Sequence, residues 1–172
     1  ATEGTLRTGI YNKFFDKNFN LVHPNDIIQK KNVNKAIKLV KMGNVKLASR
    51  IIKKAIDYFN QVLGFDSDDI SANLNLAQMH IEGWGTNIDL DLAIDYLNKV
   101  LEVNPNIVEA YINLAVAFIG KGNNANELGE DGDEYYNMSL LSYIKAAQLG
   151  HTGIQEWLNN QDIDWEGHIF SK

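Results

Sequence analysis

Three Asn-x-Ala triplets, Asn34-Lys35-Ala36, Asn75-Leu76-Ala77 and Asn113-Leu114-Ala115, are the residues of this chain whose type and spacing best suit a binding task. An asparagine side chain offers two N–H donors and a carbonyl acceptor. A row of such amides can hydrogen-bond the backbone of an extended peptide whatever its side chains are. The same groups also cap helices or bridge neighbouring ones, and the triplets alone leave both uses open.

Other chemistry is sparse. The chain has no cysteine, which excludes disulfides, thiolate nucleophiles and cysteine-ligated zinc. His23, His80, His151 and His168 show no metal-ligand spacing. Glu127 to Glu134, ELGEDGDE, lacks the D-x-D-x-D-G spacing and the closing glutamate of a calcium loop. It reads as a solvated, mobile loop, with Tyr135 and Tyr136 as aromatic anchors for a basic partner at its edge. Gly83-Trp84-Gly85 lacks the strand that precedes a phosphate loop. Trp84 there is either an exposed anchor or a packing residue on the neighbouring hairpin. No serine has a histidine and an acid at recognisable spacing. His80 and Glu82 are the nearest approach to a catalytic pair, but residues two apart on a helix point in different directions. No catalytic residue, metal or cofactor is assigned, and the chain reads as non-enzymatic.

The elements that must position the triplets are helices. From Ser71 to Asn104 the sequence reads as two antiparallel helices, Ile70–Glu82 and Leu90–Val103, with small residues at the crossing points Ala77 and Ala93. Asp89 is placed to cap the second. An earlier pair spans Ile27 to Met42 and Val45 to Leu63, broken at Gly43-Asn44 and ended by Gly64. Pro24-Asn25-Asp26 looks like its start, and Asp66-Ser67-Asp68-Asp69 offers caps for the next helix. A later pair reads as Ile107 to Ile119 and about Ser139 to Leu149, joined by the long connection KGNNANELGEDGDEYYNM. Loops of that length are commonly functional or mobile, and Ala125 within it is expected to be free of packing. A last helix lies near Ile154–Asn159. Residues 1–25, with Tyr11, Phe14, Phe15 and Phe19, are expected to cap the first pair, and Trp165 and Phe170 to cover the far end.

Aligned in this way, the chain resembles tetratricopeptide repeats, and in its middle the Sel-one-like variant. Gly43, Ala48 and Ala55 have the plain spacing. Ala77, His80, Gly83, Gly85, Asp89, Ala93, Tyr96 and Lys99 follow the Sel-one-like pattern, with Val100-Leu101 replacing its Ala-Ala pair. YIKAAQLGH, Tyr143 to His151, restores that pair, after an insertion before Ser139. The resemblance implies an all-α fold, an α-α superhelix of helical hairpins. The domains are then a capping segment, 1–25, and a repeat domain, 26–172, with repeats at about 27–63, 70–104 and 107–149 and a final helix and tail at 150–172. First helices would line a concave groove. Its register positions are Lys30, Asn34 and Lys41, then Ser71, Asn75, Gln78 and Glu82, then Glu109 and Asn113, together with the less polar Val33, Ile37, Leu74, Ile112, Val116 and Gly120. The family's clamp for a C-terminal carboxylate could draw only on Lys30, Asn34 and Asn75 here.

The resemblance implies a scaffold that binds another protein or a peptide segment of it. The charge pattern supports an alternative. Residues 1–60 hold 12 Lys and Arg against 4 Asp and Glu, whereas residues 61–172 hold 4 against 18. The acidic C-terminal half suits an inhibitor or immunity-type protein that blocks a basic enzyme or toxin. The lysines lie on amphipathic helices without an aromatic reading surface, so nucleic acid is not expected. No apolar run approaches the roughly 20 residues of a membrane span. A cytoplasmic chain without a signal peptide is expected, although the lack of cysteine suits an exported chain equally.

Overall fold

The computed structural model describes residues 24–167, and every regular element among them is an α-helix. In chain order these are α1 (Pro24–Lys41), α2 (Val45–Phe65), α3 (Ile70–Glu82), α4 (Leu90–Val103), α5 (Val108–Glu127), α6 (Asp133–Gln148) and α7 (Thr152–Asn160). The chain divides into two compact units, residues 1–76 and 77–172, and the division falls within α3. Among the described residues, packing within each unit joins consecutive helices: α1 on α2 in the first, and α4 on α5, α5 on α6 and α6 on α7 in the second. The short connections make these pairs antiparallel.

In the first unit, α1 ends because Gly43 takes a left-handed conformation, φ +80°. The Gly43 amide donates to the Val40 carbonyl at 2.9 Å and the Asn44 amide to the Leu39 carbonyl at 2.8 Å. This pattern satisfies carbonyls that the helix end would leave bare. Ala48, Ile52, Ala55 and Phe59 recur at helical spacing on α2 and are buried, as are Val33 and Ala36 on α1. Helix α2 runs through Gly64 to Phe65 and stops at Asp66, whose amide donates to the Val62 carbonyl at 2.8 Å. Gly64 therefore does not end it: without a left-handed φ, a glycine is a weak helix residue rather than a stop. The next start is capped as expected, with the Ala72 amide donating to Asp69 Oδ1 at 2.7 Å. Asn73 Nδ2 donates to the carbonyls of Ser67 and Asp69 at 3.0 and 2.8 Å and fastens the link. Residues 1–23, including the aromatic segment expected to cap this end, lie outside the described residues, as do the side chains of Asn25 and Asp26.

In the second unit, the turn into α4 uses positive φ at both Gly83 and Gly85. The Asp89 carboxylate accepts from the Leu92 amide at 3.0 Å, the cap expected of it. Ala77 and Ala93 have no exposed surface. The next hairpin departs from expectation. Helix α5 does not stop at Ile119 but continues for two more turns to Glu127, and α6 begins at Asp133, not near Ser139. The long mobile loop is a short turn, 128–132. Ala125 is buried, at 6% exposure. The reason is tertiary. A Cβ built on Gly120 would lie 2.8 Å from Leu90 Cδ1, and one on Gly122 2.8 Å from Tyr136 Cε1. These glycines are places where a neighbour presses on the helix, and the packing outweighs their roughly 1 kcal/mol helix penalty.

Helix α7 is capped by His151, whose Nδ1 accepts from the Ile154 amide at 3.1 Å. Ile144, Ala147 and Leu158 form a buried cluster, against which Leu140, Ile154, Ile163 and Trp165 pack. Trp165 Nε1 donates to Asn159 Oδ1 at 2.8 Å, and its carbonyl accepts from Gln148 Nε2 at 2.8 Å. Trp165 thus covers the end of the last helix pair as expected, while Phe170 lies outside the described residues.

Candidate functional site

The three register asparagines are in three different states. Asn34 is exposed on α1. Asn75 Nδ2 donates to the Ser71 carbonyl at 2.7 Å, with Ser71 Oγ at 3.4 Å. The carbonyl one turn back is the nearest acceptor to a helical asparagine. Asn113 Nδ2 is buried and finds no hydrogen-bond partner among the described residues. Ser71 and Asn75 therefore engage each other, and Asn113 keeps an unmet donor at a half-buried position on α5.

The other register positions are equally mixed. Lys41 and Glu82 are exposed, Gln78 and Glu109 half-buried. The side chain of Lys30 lies outside the described residues. Val33 faces the α1–α2 core rather than solvent, because it falls on the stripe that contains Ala36. Gly120 is turned toward Leu90 of α4. His80 stacks on Tyr96, ring centroids 6.0 Å apart. Its Nδ1 is buried without a hydrogen-bond partner among the described residues, and Glu82 beside it is exposed. Trp84 is half-buried, its amide held by the Met79 carbonyl at 3.0 Å.

Tyr135 and Tyr136 were expected at the edge of a loop. Both lie in the first turn of α6 and are half-buried. Tyr136 fills the space that Gly122 leaves. Its hydroxyl donates to Asn123 Oδ1 at 2.8 Å and accepts from Asn126 Nδ2 at 3.1 Å. Asn126 Oδ1 in turn accepts from the Gly132 amide at 3.1 Å, which closes the turn. Tyr135 lies beneath Lys121, whose Nζ is 5.1 Å from the ring centroid and is ion-paired to Asp91. The hydrogen bond to Asp91 is the main reason the Lys121 ammonium is held above its ordinary pKa, burial acting the other way. These tyrosines fasten α5 to α6.

Two clefts in the second unit lie on either side of α6. Met138, Leu141, Ser142 and Lys145 repeat at i, i+3, i+4, i+7 and share one flank. With Tyr111, Leu114 and Phe118 of α5 they line a largely apolar cleft of about 390 Å³. Tyr136, Ser139, Leu140 and Tyr143 repeat at the same spacing on the opposite flank. With Ile119 of α5 and Ile154 and Trp157 of α7 they line a second cleft of about 480 Å³. Tyr143 and Trp157 meet at 5.6 Å between ring centroids. Burial raises the pKa of the Tyr111 and Tyr143 phenols, so both stay neutral donors at physiological pH. Met138, Leu141 and Trp157 are exposed at the rims. Both volumes are in the range of pockets that take a few side chains or a small ligand.

Neither cleft was found by sequence reasoning. The signal was present: two interleaved apolar stripes between Tyr136 and Lys145. It is hidden because the glycines and asparagines that precede residue 138 read as a loop in sequence. No protein-family model matches the chain, and no curated protein matches it.

Proposed function

We propose that the chain is a non-enzymatic interaction module that binds a segment of another protein. The observation that carries this reading is the pair of apolar clefts flanking α6, with Met138, Leu141 and Trp157 exposed at their rims. Large side chains of this kind left at a cleft edge are the usual anchors of protein recognition. The tetratricopeptide and Sel-one-like reading belongs to the same proposal. Its support is the match between the expected and observed limits of α3 and α4, the Asp89 cap, positive φ at Gly43, Gly83 and Gly85, and full burial of Ala36, Ala55, Ala77, Ala93, Ala146 and Ala147.

The test is affinity capture from the native cell extract with the wild-type chain and two variants. Met138→Asp with Leu141→Asp is expected to lose the captured protein while keeping its helix content. If those substitutions change nothing and Asn75→Ala with Asn113→Ala abolishes capture, the asparagine register is the site instead. A wild-type chain that captures nothing specific sinks both.

A second reading, an inhibitor or immunity-type protein for a basic enzyme or toxin, has one observation in its favour. Glu127, Glu130, Asp131, Asp133 and Glu134 are all exposed around the α5–α6 turn. Binding of that kind weakens steeply with salt. A captured complex that survives high salt unchanged rules it out.

A further inference from the structure

We infer that the tip of the α1–α2 hairpin inserts into the interfacial layer of a membrane that carries anionic lipid. Four large apolar side chains stand out around this turn: Val40 at 46% exposure, Met42 at 79%, Val45 at 56% and Leu47 at 43%. Lys38, Lys41, Lys46 and Arg50 alternate with them and are also exposed. The described side chains of α1 and α2 include one acidic residue, Asp57, and it lies three turns from the tip. The tip is therefore apolar at its end and cationic around its rim.

The turn is also internally hydrogen-bonded and open. The two hydrogen bonds through Gly43 and Asn44 close it, so the apolar side chains are presented without a large ordering cost. A Cβ built on Gly43 would meet nothing within 4 Å, so no part of the hairpin folds over the tip.

An anionic bilayer surface fits both halves of this pattern. Apolar side chains enter the boundary between headgroups and acyl chains. Lysine and arginine stems follow them in, while the charged ends stay among the headgroups. Nucleic acid would satisfy the cations but leave Met42 and Val45 facing a phosphate backbone, and among the described residues no aromatic ring stands at the tip to stack on a base. The chain beyond residue 60 is strongly acidic. A negative surface therefore attracts the cationic hairpin and not the acidic remainder of the sequence.

The experiment is co-sedimentation of the full chain with vesicles of phosphatidylcholine alone and of phosphatidylcholine mixed with phosphatidylserine. Binding is expected to the mixed vesicles only, and to fall as salt is raised. Replacing Lys41 and Lys46 by glutamine should lower the partition coefficient about 25-fold, roughly five-fold per charge. Met42→Asp should lower it about ten-fold or more, through loss of buried apolar surface. A tryptophan placed by Met42→Trp should shift its emission to the blue on mixed vesicles and not on neutral ones. All the altered side chains are exposed, so circular dichroism should show unchanged helix content. The inference is overturned if the wild type ignores phosphatidylserine or if Met42→Asp binds as well as the wild type. It is overturned equally if the same variants alter retention of duplex DNA, or self-association without lipid, while vesicle binding stays constant.

Discussion

Gly122 of α5 and Tyr136 of α6 occupy one shared space: a Cβ on the glycine would lie 2.8 Å from Cε1 and 2.9 Å from Cζ of the ring. The ring cannot swing aside freely, because its hydroxyl is held by Asn123 and Asn126. Gly122→Ala is therefore expected to destabilise the chain. Overpacking of about 1–3 kcal/mol outweighs a gain in helix propensity of about 1 kcal/mol. Urea denaturation measures the difference, and Tyr136→Ala in the same background should relieve much of the added strain. A Gly122→Ala variant more stable than the wild type would contradict the close contact.

Ala93 and Ala125 should respond alike to enlargement. Ala93 has no exposed surface and Ala125 only 6%. Leucine at either position is expected to cost about 1–3 kcal/mol. Thermal melts compare the two, and an Ala125→Leu variant that melts with the wild type would mean that the last turns of α5 are frayed in solution.

Two helix starts depend on single side chains. Asp89→Ala removes the acceptor for the Leu92 amide, and His151→Ala the acceptor for the Ile154 amide. Each is expected to cost about 0.5–2 kcal/mol. Asp89→Asn and Asp89→Ser should recover most of the loss, because their side-chain oxygens accept the same bond; failure of both to do so would point to a role for the charge.

The Lys121–Asp91 pair sets a pH dependence with a defined sign. The lysine pKa is raised in the folded state. Its contribution is thus complete below the unfolded value of about 10.4 and is lost as pH rises through the folded value. Because Asp91 is largely exposed, the pair is worth about 0.2–1 kcal/mol at neutral pH. Asp91→Asn should show that deficit in urea midpoint at neutral pH and none at strongly alkaline pH. A deficit that persists there would assign it to something other than the charge.

What could be read from the chain alone depended on where the deciding interactions lie. The limits of α3 and α4 follow from local chemistry: a capping aspartate, two glycines in a tight turn and apolar residues at helical spacing. The limits of α5 and α6 do not. Gly120, Gly122 and the asparagines after them look like helix breakers when only neighbours in sequence are considered. Their use is set by Leu90 and by Tyr136, the latter 14 residues beyond Gly122. The same gap separates the asparagine register from its outcome. Three Asn-x-Ala triplets are legible in the sequence, but whether an amide donor faces solvent, a serine carbonyl one turn back or the protein interior is not.

Because α1 packs on α2, and α4, α5 and α6 each pack on the helix that follows, few contacts within either unit wait for distant chain. Chains with such local contacts lose little entropy in closing loops and fold in microseconds to milliseconds. The α1–α2 hairpin can assemble on a ribosome before residue 100 has been translated, and α5 with α6 can do so without waiting for it. Speed of this kind limits how long Phe59, Leu97 or Ile107 stay exposed to other nascent chains. The order in which the helices are written is then also the order in which their apolar faces can be hidden.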